Sequence, residues 1–398
     1  MALSLPIPVD IVYTILDELS SDAACLQQCA LVSRAFLSHC HKLLFSHIRL
    51  DHPRQSRGLH RAISNNASIA CFIRTLEVVA SVQPEFRLRD WVTIEQTLAP
   101  LIQMLYNLDS FTFRSTFQLP LPWQSLPVDL RSAILELSAP SITLEYLANL
   151  PIAQFMRLTR LKSLSLIHIW TDPSHPLDSA PLQTSPQTFG YLETLEILGS
   201  PTCGKLLVSV LTHRRSSLKL SQLKTLALYG NHELGGAILD VAGQTLQRVV
   251  LGGLGEDRNF QFVAFPSSFS TLPSLRSLTL STKFARGHAH DPLPLIARAL
   301  AGATPSDTCA LTHLEVHIDF YGVWKFAITP RDVDAVDEYA FWPAIDQALT
   351  RPRVYTRLET VRIGLKVGGG GEAFARLPRR RMPALVEMGV LRMVFTDK

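Results

Sequence analysis

One short apolar pattern recurs along most of the chain and constrains its fold more than any other feature. The unit is apolar-x-x-Leu-x-x-Leu-x-Leu, and its clearest copies end at Leu166, Ile197, Leu228 and Leu280. The Leu-x-Leu part predicts a short strand whose alternate side chains enter a core, and the preceding leucines reach the same core through a turn. One copy cannot bury its own apolar face, so the copies must stack on one another.

The spacing of the copies predicts how the chain returns between strands. Looser copies centre on 76–78, 111–113, 135–137, 249–251, 314–316, 361–363 and 388–390. Helical patterns lie between copies at 91–106, 205–214, 233–242 and 293–301. Parallel strands need such crossovers. We therefore expect an α/β solenoid over residues 70–398, with parallel strands on one face and helices and loops on the other.

Three insertions interrupt the repeats, near residues 170–189, 283–294 and 319–342. The third is rich in aromatic residues, and exposed Trp and Tyr are frequent in protein–protein hot spots. One interpretation assigns four of these rings to substrate contact: Tyr321, Trp324, Tyr339 and Trp342. The other is that the rings close the core where the repeat spacing stretches.

The first fifty residues have a different, helical pattern. Pro8 and Asp10 suit the first turn of a helix over 8–19, in which Ile11, Ile15 and Leu19 form an apolar stripe. Ser21 or Asp22 can cap a second helix, and a third is expected from about residue 33 to 45. A linker helix is expected over 51–69. Three helices this short, with apolar faces all round, need a partner surface.

This opening stretch resembles an F-box. The matching positions, in order, are Ile7-Pro8, Asp10-Ile11, Ile15-Leu16, Leu19, Leu26 and Val32-Ser33-Arg34-Ala35-Phe36. Asp10 stands where many members have Glu. The resemblance implies that residues 1–50 bind the Skp-type adaptor of a cullin-containing ubiquitin ligase. The residues expected to contact the adaptor are Ile7, Pro8, Ile11, Ile15, Leu16, Leu19, Leu26, Val32 and Phe36.

The later region resembles irregular leucine-rich repeats, and the whole layout is similar to that of fungal F-box families. That resemblance implies a substrate-receptor subunit that holds a protein substrate on the repeats and performs no chemistry itself. A second interpretation stays open: a stand-alone leucine-rich-repeat scaffold whose N-terminal helices only cap the first repeat.

Composition narrows the class of protein further. A net charge of +4 without a clustered basic stripe argues against a nucleic-acid binder. The six scattered cysteines do not resemble a disulfide framework. No apolar run approaches the roughly 18 residues of a membrane span. We therefore expect a cytoplasmic or nuclear protein.

Other sequence motifs are weaker signals of chemistry. Gly199 to Lys205 matches the spacing of a phosphate-binding loop, but Leu206 stands where Ser or Thr would ligate Mg²⁺. Several cysteines and histidines near the N-terminus raise a zinc interpretation: Cys25, Cys29, His39, Cys40 and His41. Core cysteines explain them equally well, and no hydrolase motif is present. We expect neither a cofactor nor a metal.

Overall fold

The structure is a computed structural model of the 398-residue chain. It describes residues 8–81, 90–116, 120–171, 189–212, 216–229, 232–254, 269–283, 293–303, 309–320, 334, 336–366, 374 and 376–396. Most of the three predicted insertions lies outside the described residues. So do three predicted contact residues: Ile7, Tyr321 and Trp324.

The described strands include one large parallel sheet of twelve members, whose spatial order follows their order in the chain. They are β1 (His47–Leu50), β2 (Thr75–Ala80), β3 (Ser110–Ser115), β4 (Ser141–Glu145), β5 (Ser163–Ile167), β6 (Thr194–Leu198), β7 (Thr225–Tyr229), β8 (Arg248–Leu254), β9 (Ser277–Lys283), β10 (His313–Asp319), β11 (Thr360–Lys366) and β12 (Leu391–Thr396). Two short parallel ladders pair Leu121–Pro122 with Leu147–Ala148 and Gly190–Tyr191 with Leu218–Lys219. The prediction of an α/β protein with a parallel sheet is confirmed.

Helices alternate with these strands. They are α1 (Val9–Glu18), α2 (Ala23–Val32), α3 (Arg34–Ser46), α4 (Pro53–Asn65), α5 (Ser68–Phe72), α6 (Leu98–Met104), α7 (Val128–Leu135), α8 (Ile152–Phe155), α9 (Pro201–Thr212), α10 (His232–Ala242), α11 (Leu293–Ala301), α12 (Phe341–Leu349), α13 (Leu377–Arg381) and α14 (Pro383–Glu387). Short 3₁₀ turns occur at Trp91–Thr93, Trp123–Ser125 and Phe269–Thr271.

The repeated leucines occupy equivalent positions on successive strands. One row of directly opposed, buried residues consists of Leu195, Leu226, Val249, Leu278, Leu314 and Val361. Full burial of such a side chain contributes roughly 1.5–3 kcal/mol. The recurring pattern therefore supplies a continuous core, as the stacking argument requires.

Two of the predicted strands were wrong. Residues 135–137 are the end of helix α7 and the two residues after it, and the strand follows at Ser141–Glu145; Pro127 before the helix and Asp129 in its first turn favour the helix. Residues 388–390 form a turn in which Gly389 has a φ of +71°, and the strand begins at Leu391. In both places local helix and turn preferences outweigh a loose leucine pattern.

Two other elements also differ from the prediction. The helix expected over 91–106 is a 3₁₀ turn followed by the shorter helix α6, and the Asp90 carboxylate accepts from the Val92 N–H to start that turn. Strand β1 follows α3 directly and pairs with β2, although no strand was expected before residue 70. His47 of β1 pairs with Thr75 of β2, which lies 28 residues further along the chain. The local sequence pattern alone therefore does not identify β1.

The chain divides into two compact units. The first comprises Met1–Ser163 and His168–Leu177, and the second comprises Leu164–Ile167 and Asp178–Lys398. The first unit contains α1–α3 together with strands β1–β4. The second contains α9–α14 and the later strands. The expected linker over 51–69 is mostly helix α4, which buries Leu59 and Ile63.

Candidate functional site

Helices α1–α3 share a small apolar core of their own. Its buried centre consists of Leu16, Leu26 and Cys40, one residue from each helix. Partly buried side chains surround this centre: Val12, Tyr13, Leu19, Cys29, Ala30, Phe36, Leu43 and Leu44. We call these three helices the N-terminal module.

Polar side chains set the boundaries between the helices of the module. The Asp22 carboxylate accepts from the Cys25 N–H at 2.9 Å and caps α2, as predicted. Ser33 adopts an extended conformation between α2 and α3, and its hydroxyl accepts from the Ala35 N–H at 3.2 Å. Ser33 in the Val-Ser-Arg-Ala-Phe run is therefore the residue that ends one helix and begins the next.

A polar contact also joins the first and third helices. An imidazole nitrogen of His39 lies 2.8 Å from the Asp17 carboxylate, and the His39 ring stacks on Tyr13 with centroids 4.2 Å apart. His39 is only 12 % exposed while Asp17 is 57 % exposed. The contact orients α1 on α3 and leaves the opposite side of α1 free of the module's core.

That opposite side of α1 is apolar. Ile11 and Ile15 are 52 % and 54 % exposed, and their i, i+4 spacing places them on one helix face. At the end of α2, Leu31 and Val32 are 81 % and 76 % exposed. Large apolar side chains left in water by a module that already has a core are typical of an interaction surface.

The nine residues predicted to bind an adaptor therefore separate into groups. Pro8, Ile11, Ile15 and Val32 are exposed, whereas Leu16 and Leu26 form the buried core. Leu19 and Phe36 pack against that core and are partly buried. Ile7 lies outside the described residues.

Three exposed apolar residues of the module were missed by the sequence reasoning: Val9, Leu31 and Leu37. Leu31 is more exposed than its neighbour Val32, and Val9 is 48 % exposed in the first turn of α1. The sequence signal for the exposure of Leu31 is the run Ala30-Leu31-Val32 just before the capping Ser33. A helix end that carries two adjacent large aliphatic residues cannot bury both against one partner helix.

A zinc site in the module is not supported. Among the described residues, no group of three or more His, Cys, Asp or Glu side chains is arranged to hold a metal ion. Burial, together with the Cys29 thiol, raises the pKa of Cys25, and burial raises the pKa of Cys40.

The segment from Gly199 to Lys205 is a strand-to-helix turn. Helix α9 begins at Pro201, so only two residues connect it to β6. The Gly204 N–H already donates to the Ser200 carbonyl at 2.9 Å within the helix. A phosphate-binding loop needs several free N–H groups around the phosphates, and this short turn does not form one.

Two residues of the third insertion that were predicted to contact substrate are described. Trp342 is fully buried, and its indole N–H donates to the Val336 carbonyl at 2.6 Å. Phe320 and Phe341 are buried as well. Trp342 therefore closes the core of its repeat rather than meeting a substrate. Tyr339 is partly exposed at the start of α12.

Strand positions that alternate with the buried leucines carry charged side chains. In the first unit, Glu77 lies 3.4 Å from Arg49 and 2.7 Å from Arg114. The sequence reasoning did not single out this ion-pair network. Its signal is the polar central residue of several Leu-x-Leu-like copies, such as Glu77 in Leu76-Glu77-Val78.

A second network of the same kind lies in the second unit. Its central residue is Glu315, which lies 3.1 Å from Arg362 and 3.1 Å from His317. Such half-exposed networks offer polar recognition but no catalytic geometry.

Comparisons with known proteins add no assignment. A scan against protein-family models finds no match to this chain, and a search of curated proteins finds no significant match. None of the described helices combines the length and the apolar character needed to cross a membrane.

Proposed function

We propose that this chain is a substrate-receptor subunit of a Skp–cullin–F-box type ubiquitin ligase. The N-terminal module is the F-box that binds a Skp-type adaptor and, through it, a cullin. The strand-and-helix units that follow form a leucine-rich-repeat solenoid that recruits a protein substrate. In this role the chain performs no chemistry itself, and it acts in the cytoplasm, the nucleus or both.

One observation carries the proposal. Ile11, Ile15, Leu31 and Val32 remain exposed although the module buries Leu16, Leu26 and Cys40 in a core of its own. A helical cap serves only the repeat beneath it, so it gains nothing from apolar side chains on its outer surface. An adaptor-binding module requires them, because apolar area removed from water is the main driving force for association.

A specific contact favours the alternative, a leucine-rich-repeat scaffold with a helical cap. Helix α3 ends at Ser46, whose carbonyl accepts from the Arg74 N–H at 3.0 Å, and β1 begins at the next residue. The end of α3 is thus attached to the first strands. The two roles use different surfaces, and adaptor binding, unlike a cap, gives the exposed apolar residues of α1 and α2 a role.

The purified full-length chain mixed with a Skp-type adaptor tests the proposal by size-exclusion chromatography and calorimetry. We expect a stable one-to-one complex. The double variant Pro8→Ala, Ile15→Asp should remain folded and lose the complex. If the folded parent chain binds no adaptor, the scaffold interpretation replaces the ligase proposal.

A further inference from the structure

A groove lies between helices α11 and α12 of the second unit. Its cavity volume is about 320 Å³. Alanines from both helices form its floor: Ala297, Ala301, Ala344 and Ala348. The larger apolar side chains of these helices, such as Ile296 and Ile345, are buried on other faces. Because four of the residues that line the seam are alanines, space remains between the two helices.

Arginines border the groove. Arg298 and Arg351 line it, and none of the described residues that line it is acidic. Arg351 follows the end of α12 and donates to the carbonyls of Ala301 and Ala303, so its guanidinium is held beside the end of α11. Arg298 lies on the exposed side of α11. The groove therefore offers fixed positive charge next to an apolar floor.

The start of α12 also borders the groove. The residue before the helix, Ala340, provides no side-chain cap, and it lines the groove together with Tyr339 and Phe341. An uncapped helix N-terminus has a partial positive charge. The C-terminal ends of the two helices adjoin at Arg351, whose guanidinium offsets the partial negative charge at the end of α11.

We propose that this groove binds a short segment of the recruited substrate in which acidic residues flank one or two bulky apolar side chains. The inference rests on the proposed receptor function and names the substrate class. The volume of the groove is at the lower end of the roughly 300–1,000 Å³ found for ligand pockets, which suits a few side chains rather than a folded surface. The arginines select acidic neighbours by electrostatic complementarity.

Fluorescence anisotropy with the full-length chain tests the groove. The probes are two labelled peptides, Ser-Glu-Glu-Phe-Leu-Glu-Ser and its counterpart in which lysine replaces each glutamate. We expect the acidic peptide to bind about tenfold more tightly. Arg298→Glu should weaken its binding by about tenfold, because the change removes an attraction and adds a repulsion of similar size.

Arg357→Glu is the matched control, because it makes the same change in charge. Arg357 is also exposed, and it does not line the groove. It should alter binding less than about twofold. Equal affinity for the two peptides, or equal effects of the two variants, would overturn the inference. So would a doubling of the chain's mass in solution that Arg298→Glu abolishes, because a second copy would then be the occupant.

Adaptor binding by the same variants separates this inference from the proposed function. Arg298→Glu should bind the adaptor as the parent does. A chain that binds the adaptor but not the acidic peptide refutes only the groove. A chain that binds the peptide but no adaptor refutes the receptor function and leaves the groove as a peptide site.

Discussion

Ile15 and Leu16 are neighbours in α1, and they should respond very differently to the same substitution. Ile15 is 54 % exposed, whereas Leu16 is 3 % exposed at the centre of the module's core. Aspartate at residue 15 adds a charge to the surface, while aspartate at residue 16 places it among Leu26 and Cys40. The pair distinguishes loss of an interaction surface from loss of the module's fold.

The exposed fraction sets the size of the effect on binding. Full burial of an isoleucine side chain is worth roughly 1.5–3 kcal/mol, so the exposed half of Ile15 offers about 1 kcal/mol to a partner. Ile15→Ala should therefore weaken adaptor binding by about fivefold. Ile15→Asp should weaken it by more than about a hundredfold, because an unpaired carboxylate would also lose its hydration at the interface.

The effect on stability follows the opposite order. Leu16→Asp should lower the free energy of unfolding of the module by at least about 2–5 kcal/mol, the cost of removing a buried leucine side chain, and the unpaired buried carboxylate adds to that cost. Ile15→Asp should change it little. Calorimetry with the adaptor and circular dichroism in urea measure the two quantities on the same samples.

Thr14→Asp provides the control, because Thr14 is exposed on the same helix and receives the same charge. It should leave both adaptor affinity and stability near the parent values. The reasoning fails if Ile15→Asp retains full affinity, or if Thr14→Asp reduces affinity as strongly as Ile15→Asp does.

Three further predictions concern stability in the rest of the chain. Trp342→Phe removes the indole donor from a buried carbonyl and should cost about 1–3 kcal/mol in urea unfolding. Asp346 accepts from two backbone N–H groups at the start of α14, at 2.8 and 3.2 Å, so Asp346→Ala should cost about 0.5–2 kcal/mol and protect α14 less in hydrogen exchange. Burial of Glu95 favours its protonated form, but hydrogen bonds from Thr97 and Arg57 outweigh it and lower the pKa of Glu95. The contribution of Glu95 to stability is therefore present above the unfolded pKa of about 4.3 and is lost as pH falls through the lower folded pKa. Glu95→Gln should remove this part of the acid dependence of the urea midpoint.

The repeat pattern was sufficient to predict the α/β class and the positions of most strands. Leu226 and Leu278 are each followed by a second leucine two positions further on, so their strands are encoded by the local period-two pattern. Strand β1 was missed because four residues after a helix have no distinctive period. Its identity depends on pairing with β2, which is distant in sequence.

The aromatic insertion shows the limit of residue type as a guide to a site. Trp residues are frequent both in interaction hot spots and in cores. Trp342 is buried, and its indole N–H donates to the Val336 carbonyl. This contact depends on the path of the chain before α12. The groove beside it was not predicted, since alanines separated by some forty residues had to be brought face to face.

The sequence alone determined the three helices over about residues 8–45, a cap at Ser21 or Asp22 for the second of them, and most of the parallel strands that follow. These features depend on short-range periodicity and on backbone hydrogen bonds between near neighbours. Tertiary structure decided which apolar residues of the module meet water. Ile15 and Leu16 are adjacent apolar residues of α1, and only the packing of α2 and α3 buries Leu16 and leaves Ile15 exposed.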